Sequence, residues 1–300
     1  MSEKPILFST PMVRATITCA KCGEMSVPFP CERCGSTEFR KTQTRRCHLK
    51  PQPPGWWSPD HFGDIHKMVN GEFVMRRGEP VVIGWGPCSA DGQLGYCLPY
   101  RNEDELWVRE KIQPLYAEGV GYWDADWNTG EGYAVGYPAT DGIQEYVDSD
   151  DNLTERCIPA IHMPKWAARI RRRVKGVRVE HVQDISEADA EAEGIETDAI
   201  IRKVHDDAWN QRREEIYERY GTPVADTRTA GNREIFAYLW DSLNSKPKPS
   251  THNPYTWAKE ACFVSYPWES VRETREHRGK PWYVVGNPWI AVYEFERTER

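Results

Sequence analysis

Two short cysteine motifs constrain this chain more than anything else in it: Cys19-Ala-Lys-Cys22-Gly23 and Cys31-Glu-Arg-Cys34-Gly35, with eight residues between the pairs. A two-residue gap lets both thiolates of a pair point at one ion, and the following glycine permits the tight turn. Two such knuckles complete a tetrahedral four-sulfur set, so residues 19–39 are expected to form a small zinc ribbon ligated by Cys19, Cys22, Cys31 and Cys34. Protein would fill all four positions, which makes the ion structural, because catalytic zinc keeps one position open. A redox dithiol or disulfide pair is the competing reading of the same spacing. Two roles suit the ribbon: a zinc-stapled surface insertion, or a small module that contacts nucleic acid.

The compartment bears on that choice. The start, Met1-Ser2-Glu3-Lys4-Pro5, lacks the basic and then apolar run of a signal peptide. No apolar stretch approaches the roughly 20 residues that span a bilayer. A soluble, cytoplasmic protein with no membrane partner is expected, and a reducing compartment favours metal over disulfides for nine cysteines, an odd number. A second metal site from Cys88, Cys97 and either Cys47 or His48 lacks the knuckle spacing.

Directly after the ribbon comes Arg40-Lys41-Thr42-Gln43-Thr44-Arg45-Arg46, which holds a lysine, two threonines and three arginines and no large apolar residue. Such a segment suits an anion, a sugar-phosphate backbone or a polarised carbonyl better than a core. The net charge of -7 argues against a bulk basic nucleic-acid binder, so any such role rests on local patches. Arg40–Lys50 is one patch and Arg169–Arg178 the other.

The body reads as strand-rich α+β. Thirteen Trp and 14 Tyr with sparse Leu and Ile favour aromatic packing between strands over a helical bundle. Residues 5–9 read as a buried strand, and Thr10-Pro11 starts a short helix carrying Met12, Val13 and Ile17. Further strands are expected at Glu72–Arg76, Pro80–Trp85 and Leu106–Arg109, with a long surface excursion over 113–155. In 166–183, Ile170 and Val174 share one parity, while Arg169, Arg171, Arg173 and Lys175 share the other. On a strand this gives a solvated outer face or one wall of a basic groove, with Arg171 and Arg173 as phosphate contacts. Ser186-Glu-Ala-Asp189 has the form of a capping box, and Gly194 ends that helix. Helices follow at about 198–220, with Ile200, Val204 and Ala208 on one side, and at about 231–243, burying Phe236, Leu239 and Trp240. Trp289–Glu296 alternates as a closing strand.

Several of these pieces resemble the ASCH-domain family: Lys4-Pro-Ile-Leu-Phe8, Met12-Val-Arg14, Arg40–Arg46, Glu105-Leu-Trp-Val-Arg109, Ile161–Ala167, Asp184–Gly194 and Asn287–Phe295. They span nearly the whole chain in order and are most similar to the longer members encoded by bacteriophages and prophages. The resemblance implies a PUA-like mixed β-barrel with flanking helices, made of 1–18 and 40–300 with long insertions at about 113–155 and 245–285, and the ribbon at 19–39 inserted. In relatives the first helix runs straight into a GRKTxTxR turn; here the knuckles intervene and Phe39 stands where the glycine would be. Some small relatives are amidohydrolases acting on N4-acetylcytidine, which by position implies Lys41, Thr44 and Glu193 as catalytic residues.

Three readings follow. The first is binding of nucleic acid, RNA included, or of a modified nucleotide or base, with Arg40, Arg45 and Arg46 on phosphate. The second is an amidohydrolase on an acylated base, and the third a phage structural or host-interaction protein with a protein partner, acting in the host cytoplasm.

Overall fold

The structure is a computed structural model. It describes residues 3–46 apart from 23, 26, 28 and 29; residues 49, 52–53 and 59; the strand segments between 61 and 88; and 95–116, 125–148, 150, 152–194, 231–256 and 258–298. The helix expected at about 198–220 lies outside the described residues, as do Cys47 and His48.

The chain is mixed α+β and mostly strands. Its main sheet contains β1 (Glu3–Leu7), β2 (Gln43–Arg46), β3 (Glu105–Arg109), β4 (Arg171–His181) and, last in the chain, β9 (Trp289–Arg297). The spatial order is β1-β3-β4-β9-β2, with β1 and β3 parallel and the other neighbours antiparallel. The terminal strand therefore sits inside the sheet. Its residues Ile290 to Val292 and Tyr293 are fully buried, although their side chains alternate between the two faces. Among the described residues the backbone ladder does not close into a barrel, since β1 and β2 are both edges. The gap is spanned by a side chain: Arg46 Nη2 donates to Leu7 O at 2.7 Å.

Helix α1 (Thr10–Ile17) starts at the Thr10-Pro11 signal, with Ser9 and not Thr10 in the N-cap position. It buries Val13 and Ile17, spaced i, i+4, against Ile6, Leu106, Val108, Ile170, Val174 and Phe295. Thr18 ends it by donating its hydroxyl to Arg14 O at 2.8 Å, and the chain passes straight into Cys19. Two further helices, α2 (Glu187–Ala192) and α3 (Asn232–Asn244), pack Ala190, Phe236 and Trp240 on Ile290 and Val292. Leu239 is only half-buried.

Both suspected insertions carry regular structure. The 113–155 region is more than a surface excursion: Gln113–Tyr116 pairs with Tyr133–Gly136, and Trp127, Val135 and Tyr137 pack on the buried cluster of Trp107, Ile112, Met163 and Ala167. Residues 248–285 build a second sheet from β5 (Lys248–His252), β6 (Lys259–Ser265), β7 (Arg272–His277) and β8 (Lys280–Val285), in the order β5-β6-β8-β7. Among the described residues no helix is long and apolar enough to cross a membrane.

Candidate active site

The segment leading into β2 is clamped on three sides by backbone hydrogen bonds. Lys41 N donates to Ala15 O of α1 at 3.1 Å, Thr42 N to Ala192 O of α2 at 3.0 Å, and Phe295 N of β9 to Thr42 O at 2.8 Å. Helix α2 is fixed at its start by Ser186, whose Oγ accepts from Asp189 N at 3.0 Å. At its end Glu193 is the C-cap, and Gly194 follows in the left-handed region at φ 70. A Cβ on Gly194 would lie 2.6 Å from Ala15 Cβ and 2.7 Å from Lys41 Cβ. Only glycine lets the end of α2 approach β2 this closely.

That approach joins two residues 152 positions apart. Lys41 Nζ donates to Glu193 Oε2 at 3.0 Å and to Glu193 O at 2.6 Å. The other carboxylate oxygen, Oε1, accepts from Arg45 Nη1 at 3.0 Å. Arg45 also donates to Glu180 Oε1, at 2.8 Å from Nη2 and 3.1 Å from Nε. Around this pair, Gln43 Nε2 holds Asp189 Oδ1 at 2.9 Å, and Arg178 bonds Glu180, Asp189 and Glu294. The Lys41 side chain has no solvent exposure and that of Glu193 has 6%. Burial, above all, pushes the Lys41 amine below its ordinary lysine range; Glu193 opposes this, while Arg46 and Arg45 add to it. An amine so placed gives up its proton more readily than a surface lysine. Thr44 is fully buried, and among the described residues its hydroxyl has no hydrogen-bond partner.

The other basic residues are placed differently from one another. Arg40 is exposed and lines a pocket of about 560 Å³ with Thr42, Glu191 and Asn232. Arg45 is committed to three carboxylates, Glu180, Glu193 and, at 3.5 Å, Asp189, and its side chain has 1% exposure, so it does not face solvent. Arg46 turns to Leu7 O and the Phe8 ring. Arg171 lies 3.7 Å from Glu3; Arg173 lies 4.0 Å from Glu103 and 3.9 Å from Glu296. The expected row of cations along β4 is thus faced by carboxylates, and Arg169 is withdrawn from it altogether by a buried pair with Glu110 at 2.8 Å. A larger cleft of about 720 Å³ opens beside Lys41, between Phe39 of the ribbon and Gln43, Arg172 and Phe295 of the sheet.

The ribbon's four sulfurs lie within 4.8 Å of one another, with Cys19–Cys34 at 3.6 Å and Cys22–Cys31 at 3.7 Å. Tetrahedral zinc with Zn–S of about 2.3 Å sets sulfurs about 3.8 Å apart, so the donors fit such an ion. Cys19 pairs with Phe39, and Ala20 N donates to Glu38 O at 2.9 Å, so the first leg of the ribbon is bonded to the second, whose Thr37, Glu38 and Phe39 line the cleft.

No family model, curated protein or solved structure matches this chain.

The sequence did not single out Glu180, and Arg172 and Arg178 stood out there only as members of the Arg169–Arg178 patch. Arg172 shares the parity of Ile170 and Val174, so the alternation that buries those two buries the arginine as well. Glu180 and Arg178 share one parity on β4 and face α2, where Asp189 had a capping role only.

Proposed function

We propose that the chain is an ASCH-type, PUA-like protein whose Lys41–Glu193 centre hydrolyses the amide of an acylated nucleobase. The observation that carries this reading is the buried Lys41 amine, held 3.0 Å from the Glu193 carboxylate and displaced below its ordinary pKa. Lys41 as free amine takes a proton from water as the oxygen attacks the acyl carbon. Glu193 relays that proton to the departing exocyclic amine as the C–N bond breaks, leaving a carboxylic acid and the unmodified base. The Thr44 hydroxyl, which has no other partner among the described residues, donates to the acyl oxygen as it gains charge.

Contact with a nucleic-acid strand is less well supported. Arg45 is spent on Glu180 and Glu193, and Arg171 and Arg173 stand beside Glu3, Glu103 and Glu296. The ribbon supplies structure to the cleft wall, and four Cys donors leave its ion no position for substrate.

Incubation with N4-acetylcytidine tests the reading by release of acetate. Turnover that disappears in Lys41→Ala is expected. No turnover by the wild-type protein, or undiminished turnover in the variant, rejects it.

A further inference from the structure

Arg172 is a buried cation that the chemistry above does not use. Its side chain is enclosed on β4 at 1% exposure, yet among the described residues no carboxylate pairs with it. Its hydrogen bonds go to two backbone carbonyls: Nη2 to Thr16 O at 2.5 Å and Nη1 to Arg171 O at 3.2 Å. Among the described residues Nε is buried with no partner, and so is the hydroxyl of Thr16. Across the ladder it stands opposite Arg297, whose guanidinium lies 4.5 Å from the Phe39 ring centre. A guanidinium cannot shed its proton as a lysine can, so burying one without counter-charge is costly. Burial first, and then the neighbouring Arg297, disfavours its charged form.

Both arginines line the cleft of about 720 Å³ that Lys41 also lines. We propose that this cleft contains an anion subsite, in which Arg172 and Arg297 hold the phosphate of a mononucleotide while its base lies at Lys41 and Glu193. The base end rests on the hydrolytic reading above; the phosphate end rests on Arg172. One phosphate fits better than a strand of them, because Glu38, Glu294 and Glu296 line the same cleft and are exposed or half-exposed. They would repel the next phosphates along a chain.

Calorimetric titration of the zinc-loaded protein with cytidine and with cytidine 5′-monophosphate separates the two ends without requiring turnover. The monophosphate is expected to bind about tenfold tighter or better. Inorganic phosphate is expected to compete with it, and Arg172→Met to abolish the preference. Equal affinities overturn the subsite and leave hydrolysis standing, whereas a phosphate preference without any deacetylation keeps the subsite and rejects the hydrolase. A folded Arg172→Met protein that retains the preference also overturns it. If that variant does not fold, competition in the wild type decides, and failure of inorganic phosphate to compete rejects the proposal.

Discussion

Glu193 is satisfied by two cations, one on each oxygen, and all three side chains are out of water. Removing a carboxylate from such a set leaves the cations buried without counter-charge. Glu193→Ala should therefore lose about 3–5 kcal/mol of stability, read by urea denaturation. Lys41 supplies a pH dependence with a definite sign. Burial, chiefly, with Arg46 and Arg45 behind it, disfavours the ammonium form. Between the lowered folded pKa and the ordinary lysine value the unfolded chain holds a proton that the folded chain does not, so stability rises with pH there. Turnover needs the free amine, so kcat/KM should climb with pH along a limb centred below the ordinary lysine range. Lys41→Arg should lose that limb and about 10²–10⁴ in rate, since guanidinium stays charged. Gly194→Ala tests the close approach: the left-handed φ and the two contacts under 3.0 Å should cost about 1–3 kcal/mol and displace Glu193.

Among the elements, the ribbon and α2 approach β2 from different directions, and each positions a wall of the site. Helix α2 ends on Glu193, while the ribbon's second leg delivers Thr37, Glu38 and Phe39 to the larger cleft. The segment is small and its four cysteines could hold a metal ion, so an ion there is expected to support that wall. Native mass spectrometry should find one zinc per chain. Chelation, or Cys31→Ser, should lower the unfolding temperature and weaken ligand binding in the cleft. Unchanged ligand affinity after complete zinc removal would show that the ribbon and the cleft are independent. Trp127 and Tyr133 pack with Trp166, which lies beyond the 113–155 region and ties it to the body of the chain, with Trp166 Nε1 donating to Trp127 O at 2.8 Å.

At the scale of the whole molecule, charge decides which ligands can approach. The net charge of -7 and the carboxylates facing the cations of β4 leave little continuous positive surface among the described residues. Binding of a single-stranded RNA should accordingly be weak, with a shallow dependence of log K on log salt. A steep slope, reporting many neutralised phosphates, would restore the strand-binding reading.

Features that depend on neighbours along the chain could be read from residue order alone. Cysteine spacing specified the ribbon, since two residues between thiols and a glycine after them are a local geometric condition. Val13 with Ile17, the Ser186 cap and the alternation of Trp289–Glu296 announced α1, α2 and β9 for the same reason. Lys41 and Glu193 were singled out by resemblance to a family, and nothing in the spacing of their own segments shows that they meet. The tertiary structure decided that. A salt bridge between residues 152 positions apart depends on where α2 ends, on a glycine that permits contact, and on how β9 draws β2 into the sheet. It also decided which arginines are spent. Seven consecutive positions of similar polarity became an exposed cation, a buried lysine, a buried ion pair and a bridge across the sheet's open edge. A residue's access to water is set by what the rest of the chain places on top of it.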